Sequence, residues 1–368
     1  MKHWLGAAAI VAAAAPLHAQ GAKLYVVNQA GASITVIDQD KLAVDTTLDL
    51  TKLGFSANAK PHHVAVEPDG SAWYVTLIGD GKVLKFDRSN RLVGQVSLAL
   101  PGLAVLDPVH DTLYVGRSMT APNPPKSLGV IARKDFKLVD EQEIQIPRPH
   151  ALVTSRDGKW VHAGSLGENR FASVETATGR VTLSTLPGDV FRSLVQFTVS
   201  PDGKWMVAGG EQSNTVLVFD LTRPPPFTPV KEIAVPGSVS GIGPKPWDPV
   251  FSRDGKFAYF SLFADSAVAE VDLAAGKVTR RLAQGLANPY DVIMRHDGKY
   301  LFVVNQNLNT PAKPGESAHA SMPGMANMPA AQAPGNGWLS VIDVKTGRVT
   351  KTLPLGLSPS GMGAAGAR

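Results

Sequence analysis

The 368-residue sequence has no cysteine. That excludes disulfides, thiol redox chemistry, Fe–S clusters and Cys-attached haem, and a chain of this length can build its core without cross-links. Long apolar runs are also scarce. The run from Leu5 to Ala15 falls short of the ~20 residues needed to span a bilayer, and no later run is longer. With Lys2 before it and Leu17-His18-Ala19 after it, residues 1–19 read as a signal peptide cut after Ala19. The mature chain, from residue 20 to 368, is then expected to be periplasmic or secreted and to have no transmembrane segment. Basic clusters are missing as well. The net charge of +5 is spread along the chain, so nucleic acid is not an expected partner. No Gly-x-Ser-x-Gly elbow, His-Glu-x-x-His pair or strand-to-helix glycine loop is found.

What the sequence does contain is a repeat. Pro61-His62-His63-Val64-Ala65-Val66-Glu67-Pro68-Asp69-Gly70-Ser71-Ala72-Trp73-Tyr74-Val75-Thr76 reads as a strand, a tight turn and an aromatic-rich second strand. Variants follow at Pro149-His150, Pro246-Trp247 and Pro289-Tyr290, each leading to an Asp-Gly turn at Asp157, Asp254 or Asp297. Another variant carries Asp202-Gly203, and a degenerate one runs through Gly102, Val105 and His110. A second turn recurs in phase at Thr178-Gly179-Arg180, Ala275-Gly276-Lys277 and Thr346-Gly347-Arg348. Glycine accepts the positive φ that such hairpins need. Four strands per unit, recurring every ~40–50 residues, is the pattern of propeller blades. The first unit, opening at Leu24-Tyr25-Val26, lacks its first strand, and Ser358 to Ala365 supplies one at the other end. The expected fold is all-β: one seven-bladed propeller, with blade one closed by the C-terminal strand, which removes two exposed sheet edges.

The segments Tyr25-Val26-Val27-Asn28, Tyr74-Val75-Thr76 and Phe302-Val303-Val304-Asn305, with the phased turns, resemble the YVTN repeat family of β-propellers. The resemblance covers nearly all the mature chain. It implies an exported, surface or periplasmic protein and brings no shared catalytic residues.

Two places are candidates for function. The first is the funnel rim, where the copies of the repeat disagree. Counting back from the turn aspartates aligns His62, Ala104, His150, Val195, Trp247 and Tyr290, followed by His63, Val105, Ala151, Gln196, Asp248 and Asp291. Of these, His62, His63, His150, Gln196, Trp247, Asp248, Tyr290 and Asp291 are expected to face a ligand or a divalent metal. The second is the insertion at 306–336, read as a flexible loop, which holds His319, Met322, Met325 and Met328. Thioethers suit Cu(I), and His319 adds a nitrogen. Arg117 is expected to be solvated, His110 and His296 exposed in turns, and His162 buried in a blade.

These readings favour an exported scaffold that holds a small ligand, a metal or a protein partner at the funnel and top loops, without chemistry of its own. One alternative is copper handling by the methionine loop. The other is a metal- or cofactor-dependent propeller enzyme, either lactonase-like or linked to oxidation. The copper reading predicts Cu(I) affinity that is lost when Met322, Met325 and Met328 are all changed to Ser. Unchanged binding in a competition titration of that variant would end it.

Overall fold

The structure is a computed structural model that describes residues 22–117, 123–237, 243–282, 285–308 and 335–365. The expected signal peptide, His319 and the three loop methionines lie outside the described residues. Among the described residues, twenty-eight strands form seven four-stranded antiparallel sheets. Blades two to seven each take four consecutive strands; blade one takes β1 (Lys23–Asn28), β2 (Ser33–Asp38), β3 (Ala43–Asp49) and the last strand, β28 (Pro359–Ala364). Closure runs through Leu24↔Ala364, Tyr25↔Gly363 and Val26↔Met362, as the incomplete first repeat implied.

The innermost strands are β28, β4 (Pro61–Val66), β8 (Ala104–Leu106), β12 (Pro149–Thr154), β16 (Leu194–Val199), β20 (Pro246–Phe251) and β24 (Pro289–Met294). Each packs on the inner strands of the two flanking blades, which closes the ring. Between blades the faces are apolar. Trp73 lies stacked between Tyr25 of blade one and Phe86 of its own blade, each ring centre 4.2 Å away. Burial of such rings, at about 25 cal/mol per Å² of apolar surface, is the main cohesive term between blades.

Register fixes which residues are equivalent. Pro61 pairs with Leu77, Pro149 with Ser165, Leu194 with Gly210, Pro246 with Leu262, Pro289 with Asn305 and Pro359 with Asn28. These are position one of the inner strand. In all six blades a β-bulge follows at once, so one extra residue sits among positions two and three. A bulge bends the strand and breaks the strict alternation of side chains. Because both faces of a blade pack on a neighbour, β4 is buried along its whole length.

Blade three corrects the sequence alignment by two residues. Ala104, Val105 and Leu106 pair with Val115, Tyr114 and Leu113, just as Val64, Ala65 and Val66 pair with Val75, Tyr74 and Trp73. Positions two and three of that blade are therefore Gly102 and Leu103, not Ala104 and Val105. The hairpin is located in the sequence from its turn, and here Val109-His110 stands where the others have Asp-Gly, so Asp111, two residues on, takes the place of the turn aspartate in that count.

The bulge leaves a backbone N–H without a ladder partner, and a hydroxyl meets it. Thr76 Oγ1 accepts from His63 N at 3.2 Å and donates to Gly102 O of the next blade at 2.7 Å. Ser261 Oγ does the same between Asp248 N, at 3.1 Å, and Tyr290 O, at 3.0 Å. Where glycine stands instead, the next blade comes closer. A Cβ on Gly209 would lie 2.4 Å from Pro246 O.

The Asp-Gly turns hold their glycines left-handed, Gly158 at φ 68° and Gly255 at φ 71°. Gly255→Ala, with no atom nearer than 3.5 Å to the new Cβ, is expected to cost only the backbone term, about 1–2 kcal/mol in urea unfolding. Gly158→Ala should cost clearly more, because its Cβ would meet Asp107 Oδ1 and Val109 at 2.9 Å. Equal losses would contradict this reading of the turns.

Candidate functional site at the propeller axis

Position three carries His63, Leu103, Ala151, Gln196, Asp248, Asp291 and Gly361 around the axis. Four of the eight funnel residues expected from sequence, His63, Gln196, Asp248 and Asp291, line one cavity of about 480 Å³. The cavity runs from this ring to the hairpin ends at Glu67-Pro68, Asp107-Pro108 and Ser155-Arg156. The other four, His62, His150, Trp247 and Tyr290, do not line it. They are buried at position two, 1%, 6%, 7% and 5% exposed, so they do not form an open rim. Trp247 packs on Phe263 and Tyr290, with ring centres at 4.8 and 5.6 Å. The bulge is the physical reason for the split, because it turns two consecutive side chains to different depths.

Three position-three side chains are tied to a neighbouring blade. His63 Nδ1 accepts from Ala104 N at 3.2 Å, which fixes the proton on Nε2. Gln196 Oε1 accepts from Leu152 N and Phe197 N, both at 3.0 Å, so its amide NH₂ is the part left to address the cavity. Asp291 Oδ2 accepts from Met362 N, on the closing strand β28, at 2.6 Å.

Asp248 and Asp291, on adjacent blades, form the electrostatic centre. Asp291 is 4% exposed. Asp248 keeps partial exposure into the cavity it borders, yet protein atoms crowd its carboxyl. Burial raises both above the usual carboxylate range. Asp291 reaches only about 7, because the N–H groups of Met362 and Val292 and a hydrogen bond with Asp248 favour its charged form. Asp248 goes further up, through burial and then the nearby charge of Asp291. One proton shared by the pair is the consistent state near neutrality.

Among the described residues no three His, Asp or Glu side chains gather closely enough to hold a metal ion. The divalent metal expected at the funnel therefore finds no such ligand set there. His63 Nδ1 and Asp291 Oδ2 already accept backbone N–H groups. Arg117 is also a correction: it is 8% exposed, bonded to Ser127 and ion-paired with Glu141, because the short blade three folds it inward. His162 is buried against Ser173, and His110 and His296 are in exposed turns, as expected.

Sequence reading missed the far end of the cavity. Arg133 pairs there with Glu67 at 2.8 Å, and Arg156 donates to Val199 O and Ser200 O. The signal was present in Arg156-Asp157-Gly158, where the first hairpin has Pro68-Asp69-Gly70.

The sequence matches the family model described as Lactonase, 7-bladed beta-propeller, over residues 118–312, more than half the chain. No curated protein matches it in sequence. Among solved structures it is similar to the periplasmic gluconolactonase PpgL of Pseudomonas aeruginosa, at 19% identity and TM-score 0.68 over 94% of this chain and 99% of that one. A putative 6-phosphogluconolactonase from Bacteroides uniformis gives 16% and 0.67 over 94% and 100%. The dihydro-heme d1 dehydrogenase NirN gives 16% and 0.60 over 94% and 75%. At these identities the likeness is one of fold. No helix among the described residues is long and apolar enough to cross a membrane.

The carboxyl pair gives a pH dependence of stability. Unfolded, both groups titrate near 4; folded, both are raised, so between about pH 4 and 7 the folded state binds more protons. Their stabilising contribution is full at the acid end of that window and is lost as pH rises through 7. Asp248→Asn keeps a donor toward Asp291 and removes the repulsion. It is expected to flatten the decline in thermal stability between pH 5 and 8, by on the order of 2 kcal/mol at the upper end. Parallel profiles for the two proteins would refute the shared proton.

Proposed function

Because the chain belongs to the lactonase family of seven-bladed β-propellers, we propose that it hydrolyses a small lactone at the inner end of the axial cavity. The observation that carries this reading is the carboxyl pair Asp248–Asp291 on adjacent blades, bordering a cavity sized for a small molecule. Hydrolysis of a lactone needs one group to take a proton from water and another to give one to the leaving oxygen. A pair of carboxyls pushed to different proton affinities supplies both.

In this reading Asp291, the carboxylate, removes a proton from a water whose oxygen attacks the lactone carbonyl carbon. The carbonyl oxygen becomes an oxyanion, and the cavity-wall donor that would meet it is the Gln196 amide. Collapse of the tetrahedral intermediate breaks the ring C–O bond. The departing oxygen takes the proton of Asp248, leaving an open-chain hydroxy acid. The proton gained by Asp291 passes to Asp248 across the hydrogen bond between them and restores the starting state. Every step is proton transfer or addition and elimination at carbon, so no redox partner is required. The periplasmic relative and the expected signal peptide both support an exported site of action.

The test is hydrolysis of glucono-δ-lactone and related five- and six-membered aldonolactones, followed by acid release at constant pH against a protein-free blank. Wild type is expected to turn over at least one of them, with a rate that rises as pH passes about 7. Asp291→Asn should lower kcat by about 10²–10⁴-fold with the fold intact by circular dichroism. No turnover above the blank across the panel, or full activity in both Asp→Asn variants, would refute the assignment.

A further inference from the structure

Behind the cavity, at position two, stands a second pair of polar side chains that the proposed hydrolysis does not use. His62 is 1% exposed, and neither of its ring nitrogens has a hydrogen-bond partner among the described residues. An imidazole N–H buried without a partner costs about 1–3 kcal/mol, so a group that meets those nitrogens would be bound with that much in its favour. His62 belongs to blade two and His150 to blade four; between them blade three offers Gly102, with no side chain. The two rings consequently come together past blade three, with centres 5.8 Å apart and planes at 70°.

His150 is held in the manner of a metal-binding imidazole. Its Nδ1 donates to Val195 O, which fixes the proton there and leaves Nε2 as a lone pair. We propose that His62 and His150 form a two-coordinate site for a monovalent d¹⁰ cation, Cu(I). With metal–nitrogen bonds of about 2 Å, and ~1.2 Å from each nitrogen to its ring centre, collinear ligation sets the ring centres about 6.4 Å apart. At the observed 5.8 Å the same bond lengths close the N–metal–N angle to about 130°, so linear ligation needs the two rings to part by about 0.6 Å.

Ligand number and charge select the ion. Zn(II) takes four ligands in a structural site and Ca(II) six or more oxygens, whereas among the described residues no third His, Asp or Glu joins this pair. Burial penalises a double charge about four times as much as a single one, since ion solvation scales with the square of the charge. Arg148, whose charge is felt at His150, repels a dication more as well. Two neutral nitrogens in a closed site therefore suit a monovalent soft ion.

The experiment uses the full mature chain carrying Met322→Ser, Met325→Ser and Met328→Ser, so that loop sulfur cannot contribute. The probe is Cu(I) itself, titrated without oxygen against a chromophoric Cu(I) chelator, with X-ray absorption recorded at one equivalent. The expected result is one Cu(I) per chain with two nitrogen neighbours and no sulfur. His62→Gln and His150→Gln should each weaken binding by 100-fold or more, while His162→Gln, a buried histidine bonded to Ser173, leaves it unchanged. Absence of Cu(I) binding, a sulfur neighbour in the spectrum, or equal affinity in His62→Gln would overturn the proposal. The spectrum of the parent protein decides the matter even where a histidine variant fails to fold.

Discussion

Everything near the axis of this protein depends on one extra residue at the start of six of the inner strands. Six blades carry a β-bulge there, and a bulge leaves an unpaired N–H and two consecutive side chains on the concave side. Both consequences had to be met. Side chains or hydroxyls take up the orphan N–H groups, as Thr76 and Ser261 do, and the doubled side chains fill the centre of the ring. The same local irregularity that closes the propeller therefore also produces its polar interior. A regular strand would have sent every second one of those residues into a blade interface.

The carboxyl pair shows how closely site and closure are linked. Two aspartates on neighbouring blades at the same height would repel strongly if both were ionised in so dry a place. Sharing a proton removes most of that repulsion. What holds the remaining charge on Asp291 is the Met362 N–H, which belongs to the C-terminal strand that completes blade one. The electrostatic state of the site thus rests on the last strand of the chain being docked. The proton affinity of Asp291 and the seating of β28 are two readouts of one arrangement.

Fold was legible in the sequence because it is written seven times. Phased Asp-Gly and Thr-Gly-Arg turns, and a first unit missing the strand that the C-terminus supplies, determine blade number and closure without any appeal to packing. The site was legible only as a list of residues. Equivalence by counting from the turn placed His63, Gln196, Asp248 and Asp291 together correctly, but it could not see the bulge, so it set His62, His150, Trp247 and Tyr290 on the same open rim when they lie buried beyond the cavity. It also slipped by two in blade three, where the turn it counted from is replaced. Arg117 was misjudged for the same kind of reason: a charge at a strand end is usually solvated, and only the short strands of that blade bring Glu141 and Ser127 to meet it.

Where the blades agree and where they differ follows from spacing. At the fifth residue of the second strand only Thr, Ser or Gly fits in several blades, because the next blade's backbone passes within bonding distance. Thr76 reaches Gly102 O, Ser261 reaches Tyr290 O, and a Cβ on Gly116 or Gly209 would collide with Pro149 O or Pro246 O. That contact sets the distance between inner strands, so it tolerates little change. At positions two and three the residue types differ from blade to blade, although blade one is held to glycine at position three, where a Cβ on Gly361 would lie 2.4 Å from His62 O. Imidazole, carboxyl, amide, indole and phenol can all stand there without disturbing the blades. A propeller can therefore vary its chemistry at positions two and three while the blades stay the same, and this chain places its carboxyl pair and its histidine pair there.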